Sequence, residues 1–135
     1  MEHLLFVDTN IFIYSLFNID NQKYIKSTNL FKKASNGLVS LWTTEWVVAE
    51  LIWFLQKKRV KWEEIKKVVI SGVLMTRGLQ VRDGKKLLEI LKASAKSSSF
   101  IDLMNVTLAL EVNINIGYSF DKDLDKLKQF KRLEP

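Results

Sequence analysis

Short apolar runs alternate along this chain with longer segments of helical period, and that alternation leaves few folds open. The runs are Leu4–Val7, Leu38–Trp42, Leu79–Val81 and Ile114–Phe120. Between them, helical spacing of apolar residues predicts helices over Asn10–Phe17, Asn21–Ala34, from Thr43 or Thr44 to about Lys58, Trp62–Met75, Gly84–Lys96 and Ile101–Val112. Asn36-Gly37 marks a break, Thr43 or Thr44 and then Asp83 serve as N-caps, and Ser97–Ser99 reads as a loop. Asp121–Gln129 is expected as a short helix or turn, and Phe130–Leu133 as a last short strand. Strands joined by helical crossovers lie parallel. Runs that are apolar without alternation suit strands covered on both faces, Leu4–Val7 being one such buried strand. The expectation is an α/β chain, a three-layer α/β/α sandwich around a central parallel sheet. Ligands in such sheets bind beyond the carboxyl ends of the strands.

Nothing in the 135 residues suggests a linker or repeat, and the sole proline is Pro135, so residues 1–135 are expected to form a single domain. A hydrophobic share of 47% with 27% charged residues belongs to a globular protein with a real core. The absence of cysteine excludes disulfides, thiolate zinc sites and cysteine nucleophiles, and fits a cytoplasmic location. Leu4–Val7 is too short for a signal-peptide core. Trp46–Leu55, the greasiest run, is interrupted by Glu50 and is expected as a buried helix, with no membrane role. No glycine-rich phosphate loop exists. The formal charge of +6 suits a polyanionic partner, or simply a lysine-rich solvated surface.

Chemistry then rests on carboxylates. Asp8 ends the first run, where by itself it reads as the N-cap of the helix opening at Thr9–Asn10. Glu50 is the only charge in Trp46–Leu55, with Val47, Trp53 and Phe54 as helical neighbours. A carboxylate dehydrated there needs a lysine or a cation. Asp102 opens the helix Ile101–Val112, again a cap when taken alone, with Asn105 one turn on. Asp121 follows the Ile114–Phe120 strand, near Asp123 and Asp125, and a mixed-charge turn accounts for Asp125. Asp8 and Asp121 both end parallel strands, so both are expected at one sheet edge, with Asp102 and Glu50 within reach of it. Unit charges about 4 Å apart repel by roughly 4 kcal/mol at an effective dielectric near 20. A divalent cation turns that repulsion into coordination, because hard ions take carboxylate and phosphate oxygens. An acidic cluster in a basic protein therefore suits phosphodiester hydrolysis, with metal neutralising phosphate charge and activating water.

The residues VDTNIFIY (Val7–Tyr14), TTEWVVAEL (Thr43–Leu51), FIDLMNVTLA (Phe100–Ala109) and YSFDKDL (Tyr118–Leu124) resemble the PIN-domain family, and within it the VapC-type toxins. On that resemblance Asp8, Glu50, Asp102 and Asp121 correspond to the family's four acids, and Asp123 to a less uniform fifth. Asn10 and Ser119 correspond to its polar supporting positions. The resemblance spans about Leu4 to Leu133 and implies an acidic pocket for one or two Mg²⁺ or Mn²⁺ ions and cleavage of single-stranded RNA. It also implies a homodimer and inhibition by a cognate antitoxin. Departures are Ser119 for a commoner threonine, Leu124 for a frequent aromatic, and Leu103 where a small residue often follows the third acid.

On this reading Asp8, Asp102 and Asp121 hold metal, Glu50 does so directly or through water, and Asn10 and Ser119 orient the ligands. The alternatives are an RNA-processing nuclease outside any toxin–antitoxin pair, a non-catalytic RNA- or protein-binding domain, and a phosphatase with Asp8 as nucleophile. The last expects an acid where Asn10 stands. His3, the only histidine, is expected at the surface, and Lys57, Lys58, Arg59 and Lys61 as a solvated or RNA-facing basic turn. Trp46 and Trp53, seven apart, fit either core or a dimer seam.

Overall fold

The structure is a computed structural model that describes residues 3–135, with the backbone alone described at 97–99. The chain divides into two compact units, Met1–Leu88 and Glu89–Pro135.

In the first unit three short strands, β1 (Leu4–Phe6), β2 (Ser40–Thr43) and β3 (Leu79–Val81), form a parallel sheet in the order β1-β2-β3. The registers pair Leu5 with Leu41 and Leu41 with Leu79. Helices α1 (Thr9–Leu16) and α2 (Asn21–Ser35) join β1 to β2. Helices α3 (Glu45–Lys57) and α4 (Trp62–Val69) lead towards β3. Asp20 caps α2 by accepting from the Lys23 amide at 3.0 Å, and Lys32 and Lys33 complement the dipole at its other end. Thr44, not Thr43, caps α3 through the Val47 amide at 3.3 Å. Thr43 instead donates to the carbonyl of Val7 at 2.8 Å, fully buried.

The helices follow the expected apolar spacing. Val48, Leu51 and Leu55 of α3 are wholly buried, as are Val69 of α4 and Val73 just beyond it. Each such side chain contributes about 1.5–3 kcal/mol by leaving water. The helix expected through Met75 is α-helical only to Val69; Ile70–Leu74 is a wider π-turn, closed by Met75 N–H to Ile70 at 2.8 Å. Ser-Gly at 71–72 is weakly helical, and a Cβ on Gly72 would lie 3.3 Å from Leu16. Gly78 is required: its φ is +83°, and a Cβ there would stand 2.2 Å from the carbonyl oxygen of Ala34.

Expectation and structure part at β1. Leu4, Leu5 and Phe6 are about half exposed (51%, 48% and 58%), and only Val7 is buried, so the run is not a buried strand. Within its sheet β1 is a margin strand hydrogen-bonded on one side, to β2.

Helix α5 (Gly84–Ala93) carries the division between the units. Beyond it come α6 (Ser97–Glu111) and a two-stranded parallel sheet of β4 (Ile116–Tyr118) and β5 (Lys131–Leu133), linked by a 3₁₀ turn at Lys122–Lys126. Buried apolar residues here include Leu91, Phe100, Val106 and Leu124. The loop expected at Ser97–Ser99 is the first turn of α6. Asp102 therefore lies in the second turn and does not open the helix, whose N-cap position is Lys96.

Candidate active site

The first cluster of acids belongs to the Met1–Leu88 unit. Val7 is clamped to β2 from both sides of its peptide: its N–H donates to the Trp42 carbonyl at 2.9 Å, and its carbonyl accepts from Thr43. The chain thus leaves β1 in a fixed direction, and Asp8 takes the N-cap position of α1 with φ −85° and ψ 164°. Its backbone carbonyl accepts from Ile11 at 3.2 Å, yet its carboxylate makes no cap hydrogen bond. The helix end does not consume this side chain, which is exposed.

Thr9, buried behind Asp8, donates its hydroxyl to Glu50 Oε2 at 2.9 Å. That bond ties the start of α1 to the middle of α3. Asp8, Asn10 and Ile13 share with Glu50, Trp53 and Phe54 a depression of about 390 Å³. Glu50 is exposed, contrary to the dehydrated carboxylate expected from its apolar neighbours. The reason is periodicity: α3 turns Val48, Leu51 and Leu55 to the core, while Trp46, Glu50, Trp53 and Lys57 fall on the opposite stripe. Trp46 and Trp53 are 70% and 58% exposed, which removes the core reading for both.

The second cluster belongs to the Glu89–Pro135 unit. Asp102, in the second turn of α6, lies close to Asp121, which follows β4. Partial burial first, then the neighbouring Asp121 and Asp123 carboxylates, push the Asp102 carboxyl above its usual range. Asp121 accepts from the Asp123 amide at 2.9 Å, and its own amide donates to Ser119 Oγ at 3.0 Å. Asp123 lies 3.4 Å from Lys126 Nζ. Lys96, Asp102, Leu103, Asp123 and Lys126 help line a depression of about 290 Å³.

Two contributors escape a reading of the sequence for acids. Thr9 was legible only as the middle of Asp8-Thr9-Asn10, and nothing in the sequence announces its bond to a residue forty-one positions away. Arg132 of β5 grips Asp125 with two nitrogens at 2.9 and 3.1 Å. It also donates to Glu134 and to the carbonyl of Ser119, each at 2.8 Å. It thereby fixes the loop that carries Ser119 and Asp121, and Asp125 serves Arg132. His3 is exposed ahead of β1. Among the described residues, no three acidic or histidine side chains stand in a cation-binding arrangement, and no helix is long and apolar enough to cross a membrane.

Acids thus follow the carboxyl end of β1 in one unit and of β4 in the other. The PIN domain matches residues 5–129, so the chain belongs to the PIN-domain family, whose members are generally nucleases that use divalent metals. No curated protein matches the chain.

Proposed function

We propose that this protein is a divalent-metal-dependent endoribonuclease acting on single-stranded or structured RNA, and the VapC-type toxin of a type II toxin–antitoxin pair. The observation that carries the reading is the gathering of Asp102 and Asp123 on one depression, with Asp121 beside Asp102, in a chain of a nuclease family. Such a group retains a proton or takes a cation. The free carboxylate of Asp8, beside Glu50 in one depression, supports it from the other unit.

The donors fit Mg²⁺ or Mn²⁺, since all are hard oxygens. Asp8, Asp102 and Asp121 would hold the ion, Glu50 directly or through water, with Asp123 a weaker contributor. A bound divalent cation supplies positive charge against the phosphate and lowers the pKa of water. The chain's own residues do the positioning. Thr9 holds one oxygen of Glu50 and leaves the other free of it. Ser119 fixes the amide of Asp121, and the Asp123 amide orients one of the Asp121 oxygens. Asn10, exposed beside Asp8, offers an amide to ligand or phosphate. Lysines hold the rest of the RNA backbone. The partners on this reading are RNA, an antitoxin protein and a second copy of the chain, in the cytoplasm.

Asp8→Asn tests the chemistry, because Asn caps a helix as well as Asp does. The variant should keep its fold and lose Mn²⁺-dependent RNA cleavage by a hundredfold or more on the order-of-magnitude scale of lost metal ligation. Undiminished cleavage ends the proposal. For the toxin role, a short adjacent reading frame should encode a protein that co-purifies with this one and suppresses cleavage. Full activity in the presence of that protein would favour an RNA-processing nuclease instead.

A further inference from the structure

Helix α3 presents one exposed stripe, Trp46, Glu50, Trp53 and Lys57, at spacings of four, three and four residues. Trp53 lines the depression that holds Asp8, Asn10 and Glu50, and it is 58% exposed. Its neighbour Phe54 also lines the depression and is engaged with Phe17 at 6.1 Å between ring centres. Lys57 Nζ sits 3.7 Å above the Trp53 ring, and exposed Lys58, Arg59 and Lys61 follow directly. An indole flanked by cations and by the acids of a nuclease is an arrangement for a stacked base on a polyanionic strand.

We propose that Trp53 is a base-stacking subsite for single-stranded RNA, and that Lys57 to Lys61 carry the adjoining phosphates. The proposal rests on the ribonuclease reading and gives that site its substrate form: an unpaired nucleotide next to the cleaved bond. Glu50 and Lys57 are separated by about 10 Å along α3, short enough for one strand to cross both. A base stacks on the ring face that Lys57 leaves open, while the ammonium steadies the indole from the other side. A dry seam with a second copy suits this stripe less well, because Glu50 stands between the two tryptophans and would lose its hydration.

The test is equilibrium binding of a fluorescent, unstructured RNA oligonucleotide in chelator, so that cleavage plays no part, beside the same sugar-phosphate oligomer made abasic. Trp53→Ala should weaken RNA binding at least about fivefold and leave abasic binding unchanged. Trp53→Tyr, which keeps an aromatic face, should recover most of the loss. Lys57→Gln should weaken both oligomers and flatten the salt dependence. Unchanged RNA affinity in a folded Trp53→Ala overturns the subsite, and so does an equal loss towards both oligomers. Conversion of a dimer to a monomer by Trp53→Ala, seen by sedimentation, overturns it in favour of a seam. Absence of Mn²⁺-dependent cleavage by the native chain is a separate result that removes the nuclease reading and leaves the binding measurement standing.

Discussion

At the scale of single residues, the chain distinguishes acids that finish structure from acids left open. Asp20 caps α2 and Glu45 binds Arg82 through two hydrogen bonds of 2.7 and 2.5 Å, and the Arg82 guanidinium holds Glu45 below the usual carboxylate range. Asp125 is similarly spoken for by Arg132. Asp8 is not used this way, whereas Asp121 caps the 3₁₀ turn through the Asp123 amide and still lies beside Asp102. Burial and two neighbouring carboxylates favour the protonated form of Asp102, so the native state binds protons the unfolded chain has released. Metal-free stability should then be highest in acid on this account, and fall as pH rises from the ordinary carboxylate range through the raised value. Asp102→Asn should remove that fall and stabilise the metal-free protein at neutral pH while destroying cleavage. Denaturant titrations in chelator from pH 4 to 8 measure it, and a variant less stable than the native chain at neutral pH would contradict it.

At the scale of elements, α3 does two jobs with two faces. Val48, Leu51 and Leu55 anchor it in the core, and Glu50 and Trp53 look out from it. The cap at Thr44 and the Thr9–Glu50 bond add to that anchoring. Thr44→Ala should cost about 1 kcal/mol of stability and change cleavage little, because the buried face still seats the helix. The β2–α3 and β1–α1 junctions are locked together by Thr43 and Val7, which makes the direction of Asp8 a property of the sheet. Gly78 serves the sheet in a similar way: it lets the chain pass Ala34, and its carbonyl receives the Leu41 amide at 2.9 Å. No residue with a Cβ can do so without displacing α2.

At the scale of the whole molecule, the proposed ligands come from both compact units: Asp8 and Glu50 from Met1–Leu88, Asp102 and Asp121 from Glu89–Pro135. A cation held by all four is linked to the folding of both. Mn²⁺ at a hundred times its dissociation constant stabilises a one-site protein by about 2.7 kcal/mol. Heating the native chain with Mn²⁺ should therefore raise its unfolding midpoint by several degrees. Asp8→Asn and Asp121→Asn should each abolish the rise. If Asp121→Asn abolishes it and Asp8→Asn leaves it whole, the four acids do not share an ion.

The order of strands and helices was legible because it is written in local periodicity: apolar runs of strand length, helical spacing, caps at Asp20 and Thr44. The acids were legible because each stands where such a pattern ends or is interrupted, and the motifs read from the sequence point to the same four positions. Other features needed the folded chain. The start of α6 at Ser97, the π-turn at Ile70–Leu74, the half-exposed side chains of β1 and the open stripe of α3 depend on which neighbours each segment meets. So do the Thr9–Glu50 hydrogen bond and the proton-favouring contact of Asp102 with Asp121. Periodicity says which face of an element is apolar, but hydrogen bonds between distant residues and the hydration of a carboxylate are set by proximity in space, which only tertiary packing creates.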